Sequence, residues 1–180
     1  MKSNKNYNVV TKAEETYLTP PDIFQSLEYE DFRFNLDPAC PPDMPWKTAK
    51  TMLTKEDDGL AAEWKGHVWL NPPYGAETKK WMAKMAEHND GIALVFNRTD
   101  TGWFHDAVFG KAQAMFLIRG RIRFYNQDGT QTAASAPAPS VLIAYGDEAA
   151  AALYRAAALK LINGYFIFFS CHSQNTKNKP

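Results

Sequence analysis

The feature that most limits how this chain can fold is a stiff corner of sequence Asn-Pro-Pro-Tyr at residues 71–74. A short apolar run at 68–70 precedes it, and Gly75 leads from it into a helical pattern. Proline fixes its own φ angle and has no N–H group, so the turn is stiff and its carbonyl oxygens meet few competing donors. A strand that ends in such a turn before a helix is typical of open α/β sheets, whose ligands bind at the carboxyl ends of the strands.

The corner carries groups that suit a planar amine. The amide oxygen of Asn71 and a backbone carbonyl could accept both hydrogens of one –NH2 group, while Tyr74 stacks on the ring that carries it. Holding both N–H bonds leaves the nitrogen lone pair available for attack. Asn71, Pro72, Pro73 and Tyr74 are therefore candidate catalytic residues. The alternative is an ordinary strand-turn-helix corner, because Pro-Pro and Gly are common turn formers.

Strand and helix patterns alternate over most of the chain, which predicts an α/β fold of three layers. Phe32, Phe34 and Leu36 alternate into a strand that ends at Asp37. Further strands are predicted at 92–96, 115–124, 141–144 and 165–169, and further helices at 103–109 and 149–161, with at most a weak helix near 47–53. We therefore expect a single domain at residues 16–170, between flexible tails at 1–15 and 171–180.

The charge and cysteine content narrow the class of protein. Lys+Arg and Asp+Glu both number 20, so any basic surface must be local. Cys40 and Cys171 lie far apart without metal-ligand spacing, which predicts no metal site and a reducing compartment. No apolar run approaches the roughly 20 residues that span a membrane. The first residues lack a signal-peptide pattern, so we expect a cytoplasmic protein.

Three arginines alternate with other residues at Arg119, Arg121 and Arg123. On a continuous strand they would share one face, where contact with phosphate would relieve their mutual repulsion. The alternatives are that acids elsewhere pair with them, or that Gly120 breaks the strand and splays them. The sequence leaves these interpretations equally open.

Acidic and polar residues also follow several predicted strands. Asp37 has the position of an acid that binds ribose hydroxyls in nucleotide-binding sheets, although a turn or helix-cap role is as common. Asp57 and Asp58 form a second acid pair that is most simply a solvated turn. Arg98 follows the 92–96 strand and is expected to line the same cleft. The polar stretch 125–139 suits a flexible, substrate-facing loop.

Taken in order, four motifs resemble those of adenine-N6 DNA methyltransferases, most closely the small phage-encoded Dam-type enzymes. They are Thr19-Pro20-Pro21, Leu36-Asp37-Pro38-Ala39-Cys40, Asp58-Gly59-Leu60 with Trp64, and Asn71-Pro72-Pro73-Tyr74. The segments at 99–105 and 120–124 are similar to further signatures of that family. The resemblance runs from about residue 17 to 145.

The resemblance implies a three-layer, Rossmann-like fold that binds S-adenosylmethionine. It places Thr19 and Pro20 along the methionine part of this cofactor, Asp37 with Pro38 and Ala39 beside that part or the ribose, and Asp57 and Asp58 near the cofactor's adenine. The family's usual Gly-x-Gly turn is missing after Asp37. The interval of about 20 residues between Asp37 and Asp57 is also too short for a full helix and a strand. We therefore expect a reduced sheet.

The implied substrate is an adenine that has left the stack of double-stranded DNA, at a cost of a few kcal/mol. Asn71, Pro72 and Tyr74 would hold this base, and the expected DNA contacts are Arg98, Arg119, Arg121, Arg123 and Phe124. The enzyme would be phage- or prophage-encoded and act in the cytoplasm of a bacterial host. Other acceptors with a conjugated amine stay open, namely RNA adenine, cytosine N4 and protein glutamine. So does a non-catalytic nucleic-acid-binding relative that has lost the cofactor.

Overall fold

A mixed seven-stranded sheet forms the centre of the protein in the computed structural model, which describes residues 18–169. Both predicted tails lie outside these residues. The strands are β1 (Leu36–Asp37), β2 (Thr51–Met52), β3 (Val68–Leu70), β4 (Gly91–Phe96), β5 (Ala114–Ile118), β6 (Ser140–Tyr145) and β7 (Gly164–Phe168). The helices are α1 (Pro21–Leu27), α2 (Thr78–His88), α3 (Gly102–Ala107) and α4 (Asp147–Ala158), with one 3-10 turn at Lys55–Asp57. None of these helices is long and apolar enough to span a membrane.

The strand order is β2-β1-β3-β4-β6-β5-β7. Strands β1 to β4 are parallel, so Asp37, Asn71 and Asn97 all come to one edge of the sheet, the carboxyl edge. Strand β6 is antiparallel to both β4 and β5, which therefore run in the same direction. The end of β5 at Ile118 and the start of β6 at Ser140 consequently lie at the carboxyl edge as well.

Two hydrophobic clusters cover the two faces of the sheet. Helices α1 and α4 pack on one face, which includes Ile92 and Leu94 of β4. Helices α2 and α3 pack on the other face, which includes Ala93 and Val95. A strand whose successive side chains enter different clusters is buried on both sides. This arrangement confirms the predicted α/β class with three layers.

The sheet is not reduced in strand number, contrary to our expectation. What is short is the region between β1 and β2, where each strand has two residues and no helix intervenes. The weak helix predicted near 47–53 is wrong, because backbone N–H groups of this segment donate to carbonyl oxygens in and beside strand β1 instead of to a helical turn. Thr51 N donates to Asn35 O at 2.9 Å, and Leu53 N donates to Asp37 O at 2.8 Å.

The strand predicted at 115–124 ends at Ile118, because Gly120 has a φ of +86° and turns the chain out of the sheet. The chain then pairs with a returning segment through Ala136 N to Ile122 O and Thr132 N to Phe124 O, both at 2.8 Å. We call residues 119–136 the arginine hairpin. The stretch predicted to be a flexible loop at 125–139 is therefore mostly a folded hairpin.

Candidate active site

The corner after β3 is held by side-chain hydrogen bonds. The Thr78 hydroxyl donates to the Pro73 carbonyl at 2.9 Å and accepts from Gly75 N at 3.1 Å. The Asn71 amide donates through Nδ2 to Thr19 Oγ1 at 3.2 Å, and its Oδ1 lies 3.4 Å from the Tyr74 hydroxyl. Among the described residues, nothing donates to the Pro72 carbonyl. The corner thus presents an oriented amide beside an available carbonyl.

An aromatic pair stands beside this corner. The ring of Tyr74 stacks on Phe96, the last residue of β4, with centroids 4.1 Å apart and an interplanar angle of 16°. Tyr74 is 37 % exposed, so a planar ligand can reach the pair from the solvent side. Phe96 was not among the residues singled out from the sequence; its place as the last residue of the strand predicted at 92–96 was the available signal.

Residues 18–20 are tied to the arginine hairpin. Leu18 and Tyr125 exchange backbone hydrogen bonds at 2.9 and 3.0 Å, which brings Thr19, only 2 % exposed, to Asn71. Trp46 packs edge-on against Tyr125, with centroids 5.2 Å apart. The structure therefore brings the first and last of the four sequence motifs into direct contact, although 52 residues separate Thr19 from Asn71.

Asp37 is buried, with 3 % of its surface exposed. The Thr48 hydroxyl donates to its Oδ2 at 2.5 Å, and Ala39 N donates to its Oδ1 at 3.1 Å. Burial outweighs these two hydrogen bonds and raises the pKa of Asp37 to about 7. Burial and the nearby Asp37 carboxylate also raise the pKa of the Cys40 thiol to about 12, so this thiol stays protonated. Thr48 lies in a loop without a recognisable motif, so this partner of Asp37 was not predicted.

The Asp-Pro-Ala and Asp-Gly-Leu motifs touch each other. A Cβ placed on Gly59 would lie 1.8 Å from the Pro38 carbonyl oxygen, so only glycine allows this approach. The Trp64 indole donates to the Gly59 carbonyl at 2.8 Å, and Lys84 donates to the Leu60 carbonyl at 2.6 Å. The gapped Asp-Gly-Leu…Trp pattern is therefore a turn locked by its own tryptophan against the loop that follows Asp37.

The acid pair at 57 and 58 divides into two roles. Asp57 Oδ2 accepts from Thr54 N at 2.8 Å and from Thr54 Oγ1 at 3.0 Å, which caps the 3-10 turn. Asp58 is exposed in a left-handed conformation, with φ of 46°, and its Oδ1 accepts from Ala61 N at 3.3 Å. Asp57 is thus committed to the turn, whereas Asp58 keeps a carboxylate oxygen toward solvent.

Four buried polar atoms of the described residues have no hydrogen-bond partner, and all but the one on Arg155, in helix α4, lie toward the carboxyl edge. Within residues 18–169 these atoms are Trp46 Nε1, Asn97 Oδ1, Ser140 Oγ and Arg155 Nη1. Asn97 follows β4, Ser140 lies opposite Phe96 in the β4–β6 register, and Trp46 packs on Tyr125. An unsatisfied buried polar group costs about 1–3 kcal/mol. Three such groups near the corner suit a polar ligand that supplies the missing partners.

Arg121 and Arg123 are exposed and line a cavity of about 550 Å³ together with Pro20 and Pro21. Among residues 18–169, their guanidinium groups donate to backbone carbonyls of the hairpin, at 3.2–3.4 Å. Arg119 precedes Gly120 and does not belong to this pair. Of the interpretations that the sequence left open, the break of the strand at Gly120 is therefore the one that the backbone follows.

The other expected DNA contacts lie in different surroundings. Arg98 is exposed in the loop after β4, where its carbonyl accepts from Thr101. Phe124 is 1 % exposed and belongs to the core, which argues against a contact between its ring and a base. A larger groove of about 640 Å³ between α2 and α3 contains none of the predicted site residues. The part of the chain that the structure describes holds no cluster of three or more metal-ligating side chains.

The raised pKa of Asp37 predicts a pH-dependent stability. Between about pH 4 and pH 7 the folded protein holds a proton that the unfolded chain, with a pKa of 3.8, has released. The free energy of unfolding should therefore fall as pH rises across this window, and Asp37→Asn should flatten the fall. Urea denaturation at pH 5 and pH 8 measures the change in the free energy of unfolding, and Asp58→Asn, at an exposed position, is the control. An identical pH dependence in Asp37→Asn and the parent would contradict the prediction.

Comparison with known proteins adds two findings. Residues 6–155 match the family model described as DNA N-6-adenine-methyltransferase (Dam). The chain is also 25 % identical over 148 residues to a protein named DNA N-6-adenine-methyltransferase from Haemophilus phage HP1 (strain HP1c1), covering 79 % of this chain and 84 % of the phage protein. No solved structure matches the chain.

Proposed function

We propose, because this chain belongs to the DNA N-6-adenine-methyltransferase (Dam) family, that it transfers a methyl group from S-adenosylmethionine to a flipped-out adenine in double-stranded DNA. Membership makes it an adenine-specific DNA methyltransferase; the methyl donor, the base flipping, the Rossmann-like character of the fold and the residue roles are our proposal. The observation that carries these roles is the contact of Asn71 with Thr19 beside the Tyr74–Phe96 stack. It joins an amine-binding corner to the segment proposed to bind the cofactor.

The corner holds the target amine. The Asn71 Oδ1 and the Pro72 carbonyl each accept one N6 hydrogen, which localises the nitrogen lone pair for attack on the methyl group. Pro73 keeps the turn stiff, since its carbonyl is already bound to Thr78. No strong base is needed, because the amine loses its proton readily after it has gained the methyl group. Methyl transfer at this corner therefore does not require a side chain that acts as a general base.

The aromatic pair supports an adenine that has left the duplex. Tyr74 and Phe96 lie at the carboxyl edge, where a base inside a stacked helix does not reach them. Extrusion costs a few kcal/mol, and stacking on an aromatic side chain returns about 1–3 kcal/mol per base. Phe96 keeps the Tyr74 ring in one orientation, so less of this gain is lost to ordering the side chain.

The polar groups beside the corner suit S-adenosylmethionine, which supplies an electrophilic methyl group on a sulfonium cation. Thr19 and Pro20, with Asp37, Pro38 and Ala39, are proposed to hold it on one side. Asp58 is proposed to complete the site, and Asp57 acts by capping the turn that carries Asp58. A buried carboxylate and the unpaired polar atoms of Trp46 and Asn97 suit a ligand with a cationic group and several hydrogen-bonding groups.

The arginine hairpin is proposed to hold the DNA. Arg121 and Arg123 meet phosphates beside the cofactor segment, and Arg98 and Arg119 extend this positive surface along the carboxyl edge. The hairpin turn exposes Asn126 and Gln127, whose amide side chains suit base edges. The phage origin of the relative suggests a phage-encoded enzyme, and we place its action in the cytoplasm of a bacterial host.

Mass spectrometry of nucleosides tests the reaction directly. Unmethylated duplex DNA incubated with the protein and S-adenosylmethionine should yield N6-methyladenine. RNA, cytosine-only DNA and glutamine peptides serve as competing acceptors in parallel reactions. Calorimetry with S-adenosylhomocysteine measures cofactor binding separately. Methylation of RNA or peptide in preference to DNA would overturn the proposed acceptor, and no binding at all would overturn the proposed donor.

Loss of the two hairpin arginines should weaken DNA binding without changing cofactor binding. In Arg121→Ala/Arg123→Ala the slope of log affinity against log salt should fall by about 2, one for each lost phosphate contact. Fluorescence anisotropy over a salt series measures this slope. The control is Lys65→Ala, which removes an exposed cation from the loop before β3, at the amino end of that strand. An unchanged slope in the double variant would place the DNA elsewhere.

A further inference from the structure

The edge strand β7 is the most unusual surface outside the proposed active site. It is the last strand of the sheet, and among the described residues only its β5 side is paired. Its sequence, Gly-Tyr-Phe-Ile-Phe, has no charge and no proline. Proteins normally protect an edge with charges, prolines or very short strands, because open N–H and C=O groups attract another strand. The opposite edge follows this rule, since β2 has two residues and Lys50 precedes it.

Large exposed apolar side chains surround β7. Tyr165 is 70 % exposed and Phe168 is 64 % exposed, and the nearby Tyr154, Leu159 and Leu161 are 60 %, 58 % and 47 % exposed. A covered aromatic side chain buries roughly 150–250 Å². Together these five side chains offer an area of the same order as the roughly 800 Å² per partner that a standard interface buries.

The direction of the β7 backbone groups decides how a second strand can pair. Arg119 N donates to Asn163 O, and Phe169 N donates to Gln113 O, both at 2.8 Å. Because hydrogen-bonding direction alternates along a strand, the odd-numbered residues of β7 face β5. The backbone groups of Gly164, Phe166 and Phe168 therefore point out of the sheet.

An identical antiparallel strand complements this pattern. With the two-fold axis at Phe166, Gly164 of one chain lies opposite Phe168 of the second copy, and Phe166 lies opposite Phe166 of that copy. Every outward backbone group then faces another outward group. Gly164 has no side chain to obstruct the Phe168 ring opposite it, and Phe166 already packs edge-to-face on Tyr154 at 5.4 Å. The pairing is self-complementary, as a two-fold interface requires.

We propose that the chain forms a two-fold symmetric dimer in which β7 pairs with β7 of a second copy, joining the two seven-stranded sheets into one. The interface uses no residue of the proposed active site. It explains why this edge lacks the protection that the β2 edge has. It also covers the exposed aromatic side chains on both faces of β7.

Sedimentation equilibrium of the full chain tests the dimer. The parent should have twice the 20.3 kDa chain mass at micromolar concentration. The variant Tyr165→Lys/Phe168→Lys should dissociate at least about 100-fold more readily, because charges would be buried at the centre of the interface. Both side chains are mostly exposed in one copy, so the fold should persist. The control Thr51→Lys adds a lysine to β2, the outer strand on the opposite side of the sheet from β7, and should leave the dimer intact.

Amide hydrogen exchange tests the pairing itself. Gly164, Phe166 and Phe168 should be protected in the parent and exchange quickly in the lysine variant, whereas Ile167 should be protected in both. A monomeric parent, or a lysine variant that stays dimeric, would overturn the proposal. Protection of all these amides in a monomer would also overturn it, because another part of the same chain would then cover the edge.

Discussion

Asn71→Ala is expected to lower kcat for adenine methylation at least about 100-fold, as removal of one oriented hydrogen-bonding group at a reacting centre does elsewhere. The amide oxygen is the acceptor proposed to hold one N6 hydrogen, and nothing else at the corner replaces it. Affinity for S-adenosylhomocysteine should change little, since Asp37 and Asp58 are untouched. Single-turnover kinetics with calorimetry measures both quantities on one preparation.

Asn71→Asp is the matched variant. It keeps an acceptor oxygen at the same place and should retain more activity than Asn71→Ala. Because the Asn71 amide also contacts Thr19, thermal unfolding of both variants must accompany the kinetics. Activity of Asn71→Ala near that of the parent would overturn the assigned role. Equal loss of activity and cofactor binding would mean that the substitution damages the pocket instead.

The second large effect is expected for Gly59→Ala. Its new methyl group would lie 1.8 Å from the Pro38 carbonyl, and the opposing atom is backbone that cannot rotate away. We expect a loss of about 3 kcal/mol or more in the free energy of unfolding. Cofactor affinity should fall at least tenfold in whatever protein remains folded, because the loop after Asp37 must move. Urea denaturation and calorimetry measure the two effects.

Gly102→Ala is the control for this substitution. A Cβ on Gly102 meets nothing within 4 Å, and the residue begins α3. Alanine there should be neutral or slightly stabilising, because it restricts the unfolded chain. If Gly59→Ala also proved neutral, the two motifs would not be in contact. The proposal that they form one pocket would then lose its basis.

Local sequence patterns were sufficient to predict the elements that form the candidate active site. The corner at 71–74 and the strand at 92–96 were predictable because each rests on a few consecutive residues with strong preferences. Strand β2 was not, because Thr51 and Met52 form a strand only through pairing with β1. The sequence could not decide whether the three arginines share one strand face, because a glycine at 120 permits the positive φ angle that ends the strand but does not require it.

Contacts between residues far apart in the sequence could not be predicted. Thr48 reaches Asp37 from a loop with no recognisable pattern, and Phe96 meets Tyr74 only because β3 and β4 are neighbours. Ser140 lies beside them through the register of β6. Each of these contacts depends on strand order, which a single chain read residue by residue does not reveal.

Because Asn71 and Thr19 are hydrogen-bonded, a substitution at one of these positions changes which residues are tolerated at the other. A valine at 19 would remove the hydroxyl that accepts from Asn71 Nδ2, and with it one of the contacts that orient the amide oxygen proposed to hold the amine. A carboxylate at 71 could keep the contact only by accepting a hydrogen bond from the Thr19 hydroxyl, which would reverse the direction of the bond. Substitutions at 19 and 71 are therefore expected to occur together across related proteins, and a lineage that changes one of them alone should lose the reaction first.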